Sequence, residues 1–133
     1  MNLVDSCGWL EYFADGPNAN RFADPVEETS TLLAPSVCIY EVFRRLLQQR
    51  GRSDALEAVA AMRQATVVPL TDTLAMEAAA LGCELRLPLA DSVMLATARA
   101  FDATLWTQDA HFDSIPGVQY FPIPGSGAGA NAR

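Results

Sequence analysis

Short apolar segments alternate with longer, helix-like segments along this chain. The strand-like segments are residues 1–4, 32–35, 66–70, 104–107 and 118–121. Parallel strands need long crossover connections, and most of the intervening segments are long enough to hold helices. The alternation therefore predicts an α/β fold, a three-layer α/β/α sandwich with a mostly parallel central sheet.

Hydrophobic spacing and turn residues predict where the helices lie. Residues 18–31 are expected to be helical in part but divided by Pro25, and Ser36 is expected to cap the next helix, which ends at Gly51. The other predicted helices cover 8–14, 53–63, a segment from Thr71 or Thr73 to Arg86, and 89–100. The last is apolar nearly all round, so we expect it to be buried.

The length of the chain, 133 residues, suits one domain, and half of its residues are hydrophobic. We assign residues 1–123 to this domain. Residues 124–133 are rich in glycine and alanine and predict a flexible C-terminal tail.

The basic residues of the chain are all arginine, and lysine is absent. A phosphate-binding loop of the GK[ST] type is therefore excluded. Resemblance to response regulators or haloacid dehalogenases, which also gather acids on an α/β sheet, would require a lysine. The net charge of −7 disfavours contact with phosphate or anionic membranes, unless positive charge is local or supplied by a metal.

Cysteine usage predicts a cytoplasmic protein. Cys7, Cys38 and Cys83 are odd in number and widely spaced, which favours buried, reduced thiols. No basic, apolar leader precedes Asp5, and no apolar run is long enough to cross a bilayer. With His111 as the single imidazole, a structural zinc site is disfavoured.

Two aspartates follow predicted strands directly. Asp5 follows the first strand and Asp109 follows the fourth. Ligands of open parallel sheets bind beyond the carboxyl ends of strands, where the strand order reverses, so these acids converge if their strands are neighbours there. Taken singly, each has a structural alternative: Asp5 as a helix cap and Asp109 as a turn residue.

Two further acids lie near the start of predicted helices. Asp91 lies in the first turn of the buried helix, where the helix dipole favours an anion. Glu41 lies roughly opposite the apolar face of its helix, and pairing with Arg44 and Arg45 at i+3 and i+4 is its ordinary alternative. Asp5, Asp91 and Asp109 interrupt apolar stretches, where an unpaired carboxylate is costly, so a shared cation is the simplest explanation.

Three segments resemble the PIN-domain ribonucleases, and specifically the VapC-type toxins. They read VDSCGWLEYF, SVCIYEVFRRLL and LPLADSVMLATARAFDATLWTQDAHFDSIPGV, and they span nearly the whole chain before the tail. The combination is specific, whereas each segment alone is weak. The resemblance implies that Asp5, Glu41, Asp91 and Asp109 form a catalytic acidic quartet. It also implies that Ser6 and Thr107 are small hydroxyl residues that fix these carboxylates; Asp113 is either an addition to the site or a loop acid.

The resemblance further implies an endoribonuclease that acts as the toxin of a toxin–antitoxin pair. Its partners would be an RNA substrate, a cognate antitoxin protein and a second copy of the chain in a homodimer. Oxygen ligands select a hard cation, Mg²⁺ or Mn²⁺, which we expect Asp5, Asp91 and Asp109 to bind. Glu41 would bind it through water or orient the nucleophile.

Two features leave alternatives open. Arg44 and Arg45 begin the one dense basic group, which is either an RNA-backbone contact or a solvated helix end. The aromatic residues Trp9, Tyr12 and Phe13 are either core or part of a surface for the antitoxin. The competing functions are a non-catalytic PIN-like module that binds RNA or protein, and a structure-specific DNA nuclease of the flap-endonuclease type.

Overall fold

The computed structural model of the protein describes residues 1–125. Its strands are β1 (Asn2–Val4), β2 (Leu32–Pro35), β3 (Thr66–Val68), β4 (Thr104–Thr107) and β5 (Val118–Tyr120). Its α-helices are α1 (Ser6–Phe13), α2 (Ala19–Glu27), α3 (Ser36–Gln49), α4 (Arg52–Met62), α5 (Asp72–Leu85) and α6 (Leu89–Ala100). Two short 3₁₀ turns, Thr29–Thr31 and Ala110–Phe112, complete the described elements. Residues 126–133, most of the predicted tail, lie outside the described residues.

All five strands join one parallel sheet in the order β3-β2-β1-β4-β5. The chain runs outward from β1 to β3 and then returns to the other side of β1, so the strand order reverses between β1 and β4. Leu3 and Leu105 are paired at this central position and are fully buried. The predicted α/β sandwich with a parallel sheet is confirmed.

Helix α6 is the most deeply buried helix of the fold. Every residue from Asp91 to Ala98 is buried, as its composition predicts. Thr71 is the N-cap of the neighbouring helix α5: its hydroxyl accepts a hydrogen bond from the backbone N–H of Leu74 at 3.2 Å. Helices α5 and α6 pack against each other, and α6 also contacts β1 and β4. The position of Asp91 is therefore set by the core.

Two local predictions about helices are wrong. Pro25 does not divide its segment, because α2 continues through it to Glu27. The helix ends two residues after the proline, so the lost backbone hydrogen bond affects only the last turn. Ser36 is not a cap: Pro35 takes the N-cap position, with extended backbone, and Ser36 is already the first helical residue.

The three cysteines are unpaired, as predicted, but they are not all buried. Cys38 is buried, Cys7 is half-buried and Cys83 is exposed on α5. Within residues 1–125, none of the helices combines the length and the apolar character that a membrane span requires.

Candidate active site

The acidic residues gather at the carboxyl ends of β1 and β4, where the strand order reverses. Asp5 follows the last residue of β1, and Asp109 lies two residues beyond the end of β4. The backbone N–H of Asp5 donates to the carbonyl oxygen of Trp106 at 3.0 Å, which extends the pairing of the two strands up to the acid. This is the edge of a parallel sheet at which ligands are expected to bind.

Asp5 is held by three hydrogen bonds at the base of the site. Its Oδ1 accepts from the backbone N–H of Ser6 at 2.8 Å, and its Oδ2 accepts from the hydroxyl of Thr107 at 2.9 Å and from the thiol of Cys7 at 3.4 Å. Burial nonetheless raises the pKa of Asp5 from 3.8 to about 6, because its exposed fraction is only 3%. Asp5 also forms the N-cap of α1, so its predicted alternative role coexists with its place in the site.

Asp91, Asp109 and His111 form the tightest group of titratable side chains. Nδ1 of His111 lies 2.9 Å from Oδ2 of Asp91 and 3.1 Å from Oδ1 of Asp109. One potential ligand atom from each of the three lies within 4.8 Å of the other two. The side chain of Asp91 is 12% exposed, and those of Asp109 and His111 are 30% and 57% exposed. A buried acid, a half-buried acid and an exposed imidazole thus meet at the mouth of the site.

The 3₁₀ turn after Asp109 brings His111 back to the acids. Oδ1 of Asp109 accepts from the backbone N–H of His111 at 2.9 Å, and the backbone N–H of Asp109 donates to the hydroxyl of Thr107 at 2.9 Å. Asp109 therefore also has the turn role that its sequence allowed. His111 was missed as a site residue, although its spacing of two residues from Asp109 was the available signal.

The charges of this group perturb one another. Burial is the largest cause that raises the pKa of Asp91 from 3.8 to about 7, and the negative charges of Asp109 and Asp5 raise it further. The hydrogen bond to Asp91 raises the pKa of His111 above its ordinary value, assisted by the negative charge of Asp109. Crowded carboxylates of this kind favour whatever cation or proton can enter the site.

Glu41 is half-buried on α3, whereas its predicted phase pointed to solvent. The buried residues of α3 are Cys38, Val42 and Leu46, and Leu47 of the predicted apolar face is 38% exposed. The buried face is thereby rotated toward Glu41. Glu41 lies one turn after Cys38, whose thiol donates to the carbonyl oxygen of Val4 at 3.7 Å, so Glu41 is on the side of α3 that faces the end of β1. It does not join the close group of Asp91, Asp109 and His111.

The predicted pairing of Glu41 with the neighbouring arginines is absent. Among residues 1–125, the ion pairs within 4 Å all involve His111, so neither Arg44 nor Arg45 bridges to Glu41. Arg44 instead donates from Nη1 to the hydroxyl of Tyr40 at 3.2 Å. Arg45 lines an open groove together with Ser6 and other residues of α1.

The remaining predicted residues have mainly structural roles. Thr107 is fully buried and links Asp5 to the backbone of Asp109, whereas Ser6 reaches Asp5 through its backbone. Trp9 is buried in the core and stacks on Phe13 at 5.6 Å between ring centroids. Asp113 is exposed at the end of the 3₁₀ turn and lies outside the acidic group.

The donor atoms of the group suit a divalent cation. The two carboxylates supply hard oxygen ligands of the kind that Mg²⁺ and Mn²⁺ prefer. Burial is the main cause of the raised pKa values of Asp5 and Asp91, so both carboxylates are costly to ionise alone, and a bound cation would stabilise their ionised forms. The group therefore has the ligand chemistry of a metal centre.

Comparisons with known proteins connect this geometry to a family. A family model described as the PIN domain matches residues 3–118. A structure of a toxin–antitoxin complex from Klebsiella pneumoniae is 21% identical with a TM-score of 0.79, and the alignment covers 92% of this chain and all of that one. The search of curated proteins gives no significant match.

Two further solved structures have the same fold. VapBC2 from Rickettsia felis, bound to a DNA fragment from its promoter, is 12% identical with a TM-score of 0.69 over 91% of this chain and 97% of that one. VapC20 of Mycobacterium tuberculosis, a toxin that cleaves the sarcin–ricin loop, is 14% identical with a TM-score of 0.67. The alignment covers 99% of this chain and 95% of that one.

Proposed function

The chain belongs to the PIN-domain family, and on that premise we propose that it is a metal-dependent endoribonuclease, the toxin of a toxin–antitoxin pair. The observation that carries the proposal is the convergence of Asp91, Asp109 and His111 beside the buried Asp5, at the point where the sheet reverses its strand order. The similarity to solved toxin structures supports the toxin role.

Asp91 and Asp109 would bind the cation, Mg²⁺ or Mn²⁺, with Asp5 completing the set of carboxylates. Such an ion activates a nucleophilic water and stabilises the charge that develops on the phosphate during in-line displacement. Asp5 is the most fixed of the three, since Ser6 and Thr107 each donate to one of its oxygens. The hydroxyl of Thr107 also accepts from the backbone N–H of Asp109, so one side chain sets the spacing between two ligands.

The other residues of the site would act on the substrate side. Glu41, on the neighbouring helix α3, would orient the attacking water or accept its proton. His111 is the most exposed member of the group and would donate a hydrogen bond to the phosphate once a metal replaced its contacts with Asp91 and Asp109. Arg45 lines the groove between α1 and α3 and would contact the RNA backbone, with Arg44 as a second contact.

The substrate class is RNA, which the similarity to a toxin that cleaves the sarcin–ricin loop supports. The protein partner is a cognate antitoxin, since the solved relatives include toxin–antitoxin and VapBC complexes. A homodimer remains the expected assembly of the toxin, by resemblance to its family.

The decisive experiment compares RNA cleavage by the native protein and by Asp91→Asn. The native protein should cleave in Mg²⁺ or Mn²⁺ and lose activity in chelator, and Asp91→Asn should lose at least about 100-fold in rate. Asp102→Asn is the matched control, because it makes the same change just beyond the other end of α6. Sequencing the cleavage ends from cells that express each variant would identify the target RNA.

Three outcomes would decide against the proposal. Full activity in Asp91→Asn would remove the acidic group from the mechanism. RNA binding without divalent-dependent cleavage would favour the non-catalytic module. Faster cleavage of a branched DNA than of any RNA would favour a DNA nuclease.

A further inference from the structure

An open groove of about 390 Å³ leads away from the acidic group, between α1 and α3. Leu10 and Ala14 of α1 contribute apolar surface to it, and Cys7 lines it where it meets the site. Its polar lining consists of Ser6 and Glu11 from α1, Arg45 and Gln49 from α3, and Gln108 from the segment between β4 and Asp109. The groove adjoins the proposed metal centre through Cys7, whose thiol donates to Asp5, and through Gln108, which precedes Asp109 in the chain. It combines an apolar surface with polar groups.

Gln108 is held in a defined orientation by a buried neighbour. The Nδ2 atom of Asn18 donates to Oε1 of Gln108 at 3.0 Å and to the carbonyl oxygen of Pro122 at 3.1 Å. A backbone carbonyl only accepts hydrogen bonds, so the Asn18 atom that faces Pro122 is the amide nitrogen. The Gln108 atom that faces the same nitrogen must then be its oxygen. Asn18 is 2% exposed and is further fixed by its own backbone N–H, which donates to Oε2 of Glu11 at 2.7 Å.

This orientation leaves the amide nitrogen of Gln108 free. Within residues 1–125, its Nε2 atom donates to no acceptor. The atom is also not fully buried, so solvent or a ligand can reach it. Gln108, which lines the groove and directly precedes Asp109, therefore has an amide donor that the described residues leave unpaired. Arg45 adds a guanidinium that no acid within 4 Å neutralises in the described part of the chain.

We infer that this groove binds the base of a nucleotide adjacent to the cleaved phosphate, and that Gln108 selects a base with a carbonyl oxygen on its edge while Arg45 contacts the backbone of that nucleotide. Guanine and uracil offer such acceptors, whereas adenine presents an amino donor in the equivalent position. Single-stranded RNA presents unstacked bases whose edges are read in this way. The inference rests on the proposed function, since it assigns the sequence preference of the same site.

Asn18 acts in this scheme as a positioning residue. It lies in the connection between α1 and α2, and it fixes which end of the Gln108 amide is free. Without it the Gln108 amide could rotate and present either its oxygen or its nitrogen. Base selection would then depend on a residue that does not itself line the groove.

The central test is Gln108→Glu. A glutamate oxygen can still accept the hydrogen bond from Asn18, so the local structure is retained, while the free donor becomes an acceptor. The control is Gln64→Glu, which adds the same charge at an exposed position just before β3, at the opposite edge of the sheet.

Two measurements use short single-stranded RNA oligonucleotides that differ at one base. The first is the ratio of kcat/KM values between them, and the second is the ratio of dissociation constants in the Asp91→Asn background. The native protein should favour guanine or uracil over adenine, and Gln108→Glu should reduce that ratio by about tenfold or more, whereas Gln64→Glu should leave it unchanged. Asn18→Ala should also reduce the ratio.

The results separate this inference from the proposed function. Cleavage with equal base ratios in the native protein and Gln108→Glu would overturn the inference alone and leave the groove to a protein partner. A uniform loss of activity for all bases would likewise overturn it, because charge repulsion would account for the change. Base-selective binding that Gln108→Glu removes, without any cleavage by the native protein, would support the base site and overturn the nuclease.

Discussion

The hydroxyl of Thr107 donates a hydrogen bond to the carboxylate of Asp5 at 2.9 Å, across two neighbouring parallel strands. The same oxygen accepts from the backbone N–H of Asp109 at 2.9 Å. One buried hydroxyl thus satisfies an acid from the start of the chain and the backbone of an acid near its end. Without it, both groups would lose a partner in a region with little access to water.

We expect Thr107→Val to reduce both stability and metal binding. Valine has the shape of threonine, so the loss comes from the missing hydroxyl: about 1–3 kcal/mol of unfolding free energy for the groups left unpaired. The affinity for Mg²⁺ or Mn²⁺ should fall about 10- to 100-fold. Thr107→Ser retains the hydroxyl and serves as the control in denaturant unfolding and metal titration. Equal metal affinity in the valine and serine variants would contradict the role assigned to the hydroxyl.

The buried acids predict how stability depends on pH in the absence of metal. The pKa values of Asp5 and Asp91 are raised from 3.8 to about 6 and about 7, so the folded protein retains protons that the unfolded chain has lost. The free energy of unfolding in chelator should therefore fall as the pH rises from about 4 to about 7. Asp91→Asn should flatten this decrease and raise the free energy of unfolding in chelator by about 1–3 kcal/mol near pH 7. Urea unfolding across this range measures both, with Asp102→Asn as the control.

His111 should compete with metal for the same carboxylates. Its protonated ring is stabilised mainly by Asp91, so its contribution to stability is present below its ordinary pKa and is lost as the pH rises through the raised value. A metal ion would have to displace that positive charge or remove its proton. We expect metal affinity to fall less steeply toward about pH 6 in His111→Gln than in the native protein. Titrations at about pH 6 and about pH 8 test this; parallel curves for both proteins would exclude the competition.

The contact between α5 and α6 predicts that Gly82 cannot be enlarged. A Cβ atom at this position would lie 2.6 Å from Oγ of Ser92, which is itself held by the carbonyl oxygens of Leu87 and Pro88. Gly82→Ala should cost about 1–3 kcal/mol of unfolding free energy. It should also lower activity, because Ser92 follows Asp91 in α6. Adding Ser92→Ala removes the opposing oxygen, so the double variant should recover part of the stability that a double-mutant cycle measures. If the two substitutions changed the free energy of unfolding additively, the side chains at positions 82 and 92 would not be in contact.

The strands and helices that have a clear hydrophobic pattern could be predicted from the sequence. The parallel sheet and the buried helix α6 follow from short apolar segments and from a helix that is apolar nearly all round. The convergence of Asp5 and Asp109 required only that their strands be neighbours, which they are. Pro25 shows the limit of a local rule, because a helix that ends two residues later loses little by containing a proline.

The finer geometry of the site depended on tertiary packing. Glu41 was assigned to solvent from helical phase, but the core contacts Cys38 and so rotates the buried face toward the acid. His111 reaches Asp91 through a 3₁₀ turn, which the hydrophobic periodicity of the sequence does not predict. The orientation of the Gln108 side chain is fixed by Asn18, ninety residues away in sequence, so it cannot be predicted from the residues around Gln108.

The pairing of β1 with β4 has a consequence for how the protein is made. Asp5 leaves the ribosome first, but its partner Thr107 and the acids of α6 and of the turn after β4 come from the last third of the chain. A nascent chain that ends before β4 lacks Asp109 and His111, and it leaves Asp5 without its buried hydroxyl partner. The site therefore cannot assemble until β4 and the turn after it have been synthesised.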